Sequence, residues 1–183
     1  MTINEQNIDK VDIVSTIQTM AESLGQYLAD RHADNPAMIG IHTGGVWVAE
    51  QLHQILELKD PLGVLDISFY RDDFTRIGLN PRVRPSSVPF NVEDRHIILV
   101  DDVIQSGRTI RAAMNEIFDF GRPASITLVS LIDRSGRELP IQADIIGHRP
   151  QLAADQHIRL EGPSPLSLTI GTAQQTPARE SQD

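Results

Sequence analysis

A chain of 183 residues with 40% hydrophobic and 22% charged residues is long enough for one α/β domain with a full core. It is too short for two such domains, and its balance is not that of a disordered protein. The absence of cysteine excludes a disulfide framework and thiolate metal sites, and a net charge of −9 argues against a generic nucleic-acid binder, which needs a surplus of Lys and Arg on one face.

No apolar run approaches the roughly 20 residues that span a bilayer. Met1–Lys10 is polar and acidic, without the basic start and apolar run of a secretory leader. A cytoplasmic protein with no membrane partner is expected, folding alone or as a homo-oligomer. Charge is unevenly spread: residues 1–60 carry 9 acids against 3 bases, whereas residues 61–149 carry 12 against 11. Of 16 basic residues 14 are Arg, whose planar fork suits bidentate phosphate contacts; a codon preference for Arg would give the same count.

Ile13, Ile17, Met20, Leu24 and Leu28 keep helical spacing, with Asp9 and Asp12 available as caps. After Pro36, Ala37–Ile41 reads as a short buried strand, Thr43-Gly44-Gly45 as a tight loop and Val46–Leu58 as a helix. Val64–Tyr70 is a second strand. Arg71–Asn91 has no helical or strand period and contains Gly78, Pro81, Pro85 and Pro89; a stretch of that kind inside a compact domain is usually a functional loop or lid.

Ile97-Ile98-Leu99-Val100 is the apolar run of a central parallel strand, and it runs into Asp101-Asp102. Ile110, Ala113, Met114, Ile117 and Phe118 then mark one helical face, Gly121 stops that helix, and Ser125–Ile132 is another buried strand. Strands alternating with helices through short connections predict an α/β fold, a mostly parallel sheet with helices on both faces. Its ligands bind at the carboxyl ends of the strands. Residues 1–149 are read as this domain and 150–183 as an irregular C-terminal tail. Pro150, Pro163 and Pro165 break the pattern there, one short alternation survives at Leu166–Ile170, and the last part is expected to be disordered.

The chemistry concentrates in IILVDDVIQSGRT, residues 97–109. Gly107 permits a tight backbone, the unpaired amides at a helix start attract phosphate, and the hydroxyls of Ser106 and Thr109 add hydrogen bonds. Two carboxylates beside a phosphate would repel it unless they face another part of the ligand. Ribose hydroxyls, bridged where necessary by Mg²⁺, are the partners that suit them. A pair of solvated turn acids would explain Asp101-Asp102 alone, but not strand, acid pair, Gly-hydroxyl loop and helix in this order. His42, His53 and His148 share no metal-ligand spacing.

This segment resembles the phosphoribosyl diphosphate (PRPP) motif of type I phosphoribosyltransferases. Together with LDISFYRDD (residues 65–73) and FGRPASITLVSLIDRSGRELPIQAD (residues 120–144), it resembles the PyrR family, bifunctional pyrimidine-operon regulators with uracil phosphoribosyltransferase activity, over residues 10–149. The resemblance implies the type I fold with a small hood and a mobile loop. It also implies an enzyme that joins uracil to PRPP, giving UMP and diphosphate.

By the same carry-over, Asp101 and Asp102 hold the ribose hydroxyls, with Val103, Ile104, Gln105, Ser106, Gly107, Arg108 and Thr109 as the PRPP and phosphate-binding segment. Thr43, Gly44 and Gly45 fall in the diphosphate loop, although a plain strand-to-helix turn reads equally well from local sequence. Arg71, Asp72, Asp73 and Arg76 fall in the mobile loop, and Arg134 and Arg137 in the base hood. Mg²⁺ is the implied cofactor, held through PRPP without a direct protein site. Implied partners are PRPP, uracil, UMP, UTP and a pyrimidine-operon leader RNA used in transcription attenuation, and the implied assembly is a homodimer or homotetramer.

The chain departs from the family in three places. Relatives usually carry Arg where Gly44 stands, commonly carry Arg where Gln142 stands, and have further basic residues after position 149. Restoring the donor by Gly44→Arg is expected to raise turnover, and RNA binding is expected to be weak. Two alternatives stay open: a nucleotide-sensing regulator with little or no transferase activity that acts on RNA or a protein partner, and a transferase for another base. The orotate enzymes of the superfamily have a Lys-rich loop, whereas residues 71–91 contain no Lys.

Overall fold

In the computed structural model, which describes residues 11–67 and 85–172, the chain enters through α1 (Ile13–Asp30). Asp12 caps it by accepting the Ser15 N–H at 3.0 Å, which satisfies one of the donors a helix start leaves open. Its buried stripe is Ile13, Ile17, Met20, Ala21, Leu24 and Leu28, the spacing that keeps one face toward a core. β1 (Ala37–Ile41) is buried throughout, as a strand with helices on both faces must be. α2 (Gly44–Ile55) follows at once, starting two residues before the predicted Val46.

β2 (Gly63–Leu65) covers the start of the predicted Val64–Tyr70 strand; residues 68–70 lie outside the described residues, as do 71–84 of the predicted loop. At the sheet edge Ser87 and Val64 exchange both backbone hydrogen bonds at 2.8 Å. β3 (His96–Ile104), α3 (Arg108–Phe120), β4 (Ser125–Asp133) and β5 (Ile145–His148) complete a five-stranded sheet of order β2-β1-β3-β4-β5. All of its pairings are parallel. Gly121 is the α3 cap.

Period-two alternation splits the sheet between two cores. Met38, Ile98, Val100, Val129 and Leu131 face α1 and α2, while Ala37, Ile39, Ile41, Ile97, Leu99 and Leu128 face α3.

Two expectations are corrected. β3 does not end at Val100: the strand carries Asp101 through Ile104, with Asp101 paired to Ser130 and Ile104 to Asp133. The expected irregular tail contains an antiparallel hairpin, β6 (Gln156–Glu161) and β7 (Ser167–Thr172). Ile158, Leu160 and Leu168 join the α1–α2 core, and that burial holds an otherwise isolated hairpin, which is marginal in water.

Candidate functional site

Strand order reverses between β1 and β3, and the crevice outside the carboxyl ends of strands at such a reversal is where open α/β sheets bind ligands. A cleft of about 670 Å³ opens there. Thr43 and Gly44, leaving β1, form one side. Asp101, Asp102, Val103 and Ile104 of β3, then Gln105, Ser106 and Gly107, form the floor, with Thr109 and Ile110 at the start of α3. Arg134 reaches in from the end of β4.

Close backbone approach explains the two glycines at the start of α2. A Cβ added to Gly45 would lie 2.7 Å from the Val100 carbonyl oxygen, and one added to Gly44 would lie 2.3 Å from Asp102 Oδ2. Only a helix start without side chains presses this closely on the strand that carries the acids. The strand-to-helix turn that lets α2 begin also sets Gly44 against Asp102.

The two acids differ in environment. Asp101 is 2% exposed, with Oδ1 accepting the Asp102 N–H at 3.1 Å, whereas Asp102 is half-buried at the cleft. Gly107 has φ +91°, a backbone conformation that L side chains resist, and it turns the chain into α3. The Ser106 hydroxyl is already used locally, accepting the Arg108 N–H at 3.3 Å.

Three predicted residues stand outside the cleft lining: Gly45, Arg108 and Arg137. Arg108 turns outward to pair with Glu138 at 2.8 Å. Arg137 pairs with Asp133 at 2.5 Å and donates to the Gln105 carbonyl. Gly45 is buried against β3. Arg71, Asp72, Asp73 and Arg76 lie outside the described residues. Arg134 donates to Gln105 Oε1 at 3.1 Å and to the Gln156 carbonyl at 2.5 Å, bridging the phosphate-type loop and the hairpin.

Sequence reasoning missed Trp47 of α2 and His157, Ile158, Arg159 and Leu160 of β6, all of which line the cleft. Trp47 also seats the hairpin, since a Cβ on Gly162 would come within 2.8 Å of its ring. The signal was available in QHIRLE, where apolar Ile158 and Leu160 alternate with polar neighbours between Pro150 and Pro163.

Among the described residues no group of three His, Cys, Asp or Glu could hold a metal ion, and no helix is long and apolar enough to cross a membrane. His148 and Tyr27, where α1 packs beside β5, are perturbed. Burial holds the His148 imidazole below its ordinary value, with Nε2 2.9 Å from Thr16 Oγ1. Burial, then the hydrogen bond to Asp144 at 2.5 Å, raises the Tyr27 phenol.

Comparison with known proteins agrees with this geometry. The phosphoribosyl transferase domain family matches residues 10–157. A protein named bifunctional protein PyrR from Nitrosococcus oceani is 58% identical over 162 residues, covering 87% of this chain and 92% of the relative. Another of the same name from Pseudomonas paraeruginosa is 57% identical over 149 residues, covering 81% and 88%.

Among solved structures, the hypoxanthine phosphoribosyltransferase of Trypanosoma cruzi superposes with a TM-score of 0.59 at 22% identity, covering 75% of this chain and 77% of the other. The purine phosphoribosyltransferase of Pyrococcus horikoshii does so with 0.55 at 23%, covering 81% and 86%. These two likenesses carry the fold alone. The chain belongs to the phosphoribosyl transferase domain family and, within its type I members, to the bifunctional PyrR proteins.

Proposed function

We propose that the cleft transfers the phosphoribosyl group of PRPP to uracil, giving UMP and diphosphate, and that its occupancy by pyrimidine nucleotides regulates pyrimidine gene expression. The observation that carries the reading is the meeting of Thr43-Gly44, Asp101-Asp102 and Gly107–Thr109 around one cleft at the sheet's reversal point. The relatives at 57–58% identity support it.

In the reaction the bond from the anomeric carbon to diphosphate breaks, a bond to uracil N1 forms, and the N1 proton is released. Positive charge develops at the anomeric carbon as the diphosphate departs. The start of α3 offers backbone N–H groups to the 5′-phosphate, in the manner of helix N-termini. Asp102 accepts hydrogen bonds from the ribose hydroxyls. Asp101, buried below it, fixes the backbone of Asp102 through the bond to its N–H. Thr43 and Gly44 face the diphosphate, and Arg134 with β6 forms the wall on the base side.

Mg²⁺ fits this donor set: a partly exposed carboxylate, with no three-ligand cage among the described residues, suits an ion that keeps its waters and binds mainly through phosphate oxygens. When bound it would neutralise the leaving diphosphate. We expect a homodimer or homotetramer to carry the activity.

A PRPP-dependent assay against uracil, orotate, hypoxanthine and guanine, read by diphosphate release, tests the proposal. Release with uracil alone is the expected result. Release with a different base overturns the substrate, and UMP binding without release from any base leaves a nucleotide-sensing regulator.

A further inference from the structure

The segment 134–139 meets the 105–107 loop through its carbonyls. Arg137 Nη1 donates to the Gln105 carbonyl, and the Ser106 carbonyl accepts the N–H groups of Glu138 at 3.0 Å and Leu139 at 3.1 Å. A trans peptide is planar, so a carbonyl and the N–H of the following residue point in opposite directions. Drawing the Gln105 carbonyl toward Arg137 therefore turns the Ser106 N–H away from that segment, and drawing the Ser106 carbonyl toward Glu138 and Leu139 does the same to the Gly107 N–H. Ser106 and Gly107 line the cleft, whereas Arg137, Glu138 and Leu139 do not. Both amides are thus turned away from the 134–139 segment, on residues that line the cleft.

Arg137 closes the arrangement. Its other nitrogen, Nη2, pairs with Asp133 at 2.5 Å, and Asp133 is the register partner of Ile104, the residue before Gln105. The guanidinium bridges the point where the chain leaves β3 to the last residue of β4, with the Arg134 N–H bonded to the Ile104 carbonyl at 2.9 Å beside it. Such a bridge ties the Gln105 carbonyl to the end of β4, which a freely rotating loop peptide could not do for itself.

We propose that Arg137 is a positioning residue for the phosphate loop, acting through the Gln105 carbonyl, and not a contact to the base. The proposal rests on the reading of Gln105–Thr109 as the 5′-phosphate cradle. The phosphate lies away from the anomeric carbon and changes little during reaction. A loosened cradle therefore removes binding that ground state and transition state share, which raises KM and leaves kcat in place.

Steady-state kinetics with PRPP and uracil, and calorimetric titration with UMP, on wild type, Arg137→Ala and Arg137→Lys decide it. Arg137→Ala should raise KM for PRPP and weaken UMP by about tenfold each, the low end for a charge-assisted bond on a partly exposed side chain. KM for uracil and kcat should stay within about twofold. Arg137→Lys should be intermediate, because an ammonium keeps the charge but lacks the planar fork that spans both acceptors; it also decides the matter if the alanine variant does not fold. A raised KM for uracil with PRPP unaffected, a loss confined to kcat, or no change in either variant overturns the proposal. A wild-type chain that binds neither PRPP nor UMP overturns the cradle reading itself, a failure visible before any variant is made.

Discussion

Gly44 and Asp102 compete for one volume: a Cβ on Gly44 would sit 2.3 Å from Asp102 Oδ2 and 2.9 Å from its Cβ. Rotating the carboxylate relieves the first contact but not the second, so any side chain at 44 requires backbone to move. Gly44→Ala should therefore reduce kcat/KM for PRPP about tenfold or more, since small misplacements of a ligand-facing group are costly to rate. The same geometry reverses the sign expected for Gly44→Arg. The guanidinium would bring a donor, yet only by displacing Asp102 from its place at the cleft. Turnover of both variants, measured beside their UMP affinity, checks this; a gain with Gly44→Arg would mean that the loop yields without disturbing Asp102.

Asp102→Ala should remove PRPP and UMP binding in calorimetry while leaving the urea midpoint near that of wild type, because the side chain is half-buried at a cleft and serves no core contact. Asp101→Ala should differ. Losing a buried acceptor that holds a backbone N–H costs about 1–3 kcal/mol, so its urea midpoint should fall as well. Equal midpoints for the two variants would refute the division of labour.

His148 predicts a pH dependence of stability. Its folded-state pKa is held below the ordinary 6.5 by burial, so the unfolded chain takes up the proton first as pH falls. That contribution to stability is complete above about 6.5 and declines as pH drops through this value toward the lowered one. Thermal unfolding from pH 7.5 to 5.5 should show a steeper fall for wild type than for His148→Gln. Parallel curves would show that the His148 imidazole is not what titrates.

At physiological salt, binding to a pyrimidine-operon leader RNA should be weak or absent. Part of the local positive charge is offset within the chain, since Arg137 and Arg149 both pair with Asp133. With a net charge of −9, few phosphates would be neutralised, and affinity falls with their number. Filter binding at two salt concentrations, with and without UMP, tests it; sub-micromolar, UMP-enhanced and sequence-specific binding would overturn it.

What the sequence revealed was local. The run at 97–100 and the spacing along α1 are periodic within one element, and Gly107 announces its turn by residue type. The apolar run stops at Val100 and Asp is depleted in strands, so only the register with Ser130 and Asp133 shows that the ladder continues through the acids to Ile104. The β6–β7 hairpin is harder to read because Pro150, Pro163 and Pro165 interrupt the region and leave two short alternations that only their pairing joins. Gly44 against Asp102, and Arg137 against Gln105, are pairings between distant parts of the chain, and no single-segment pattern carries them.

The ladder that carries Asp101, Val103 and Ile104 alongside Ser130, Ile132 and Asp133 has a dynamic consequence. Exposing the backbone of these residues to solvent requires parting β3 from β4, the two longest strands and both central to the sheet. Their amides therefore belong with the slowest-exchanging cooperative unit, which opens only when the whole domain unfolds. Ligand-binding parts are often drawn from the least stable regions of a protein; here Asp101 and Asp102 are carried by the central ladder of the sheet, already ordered before any ligand arrives.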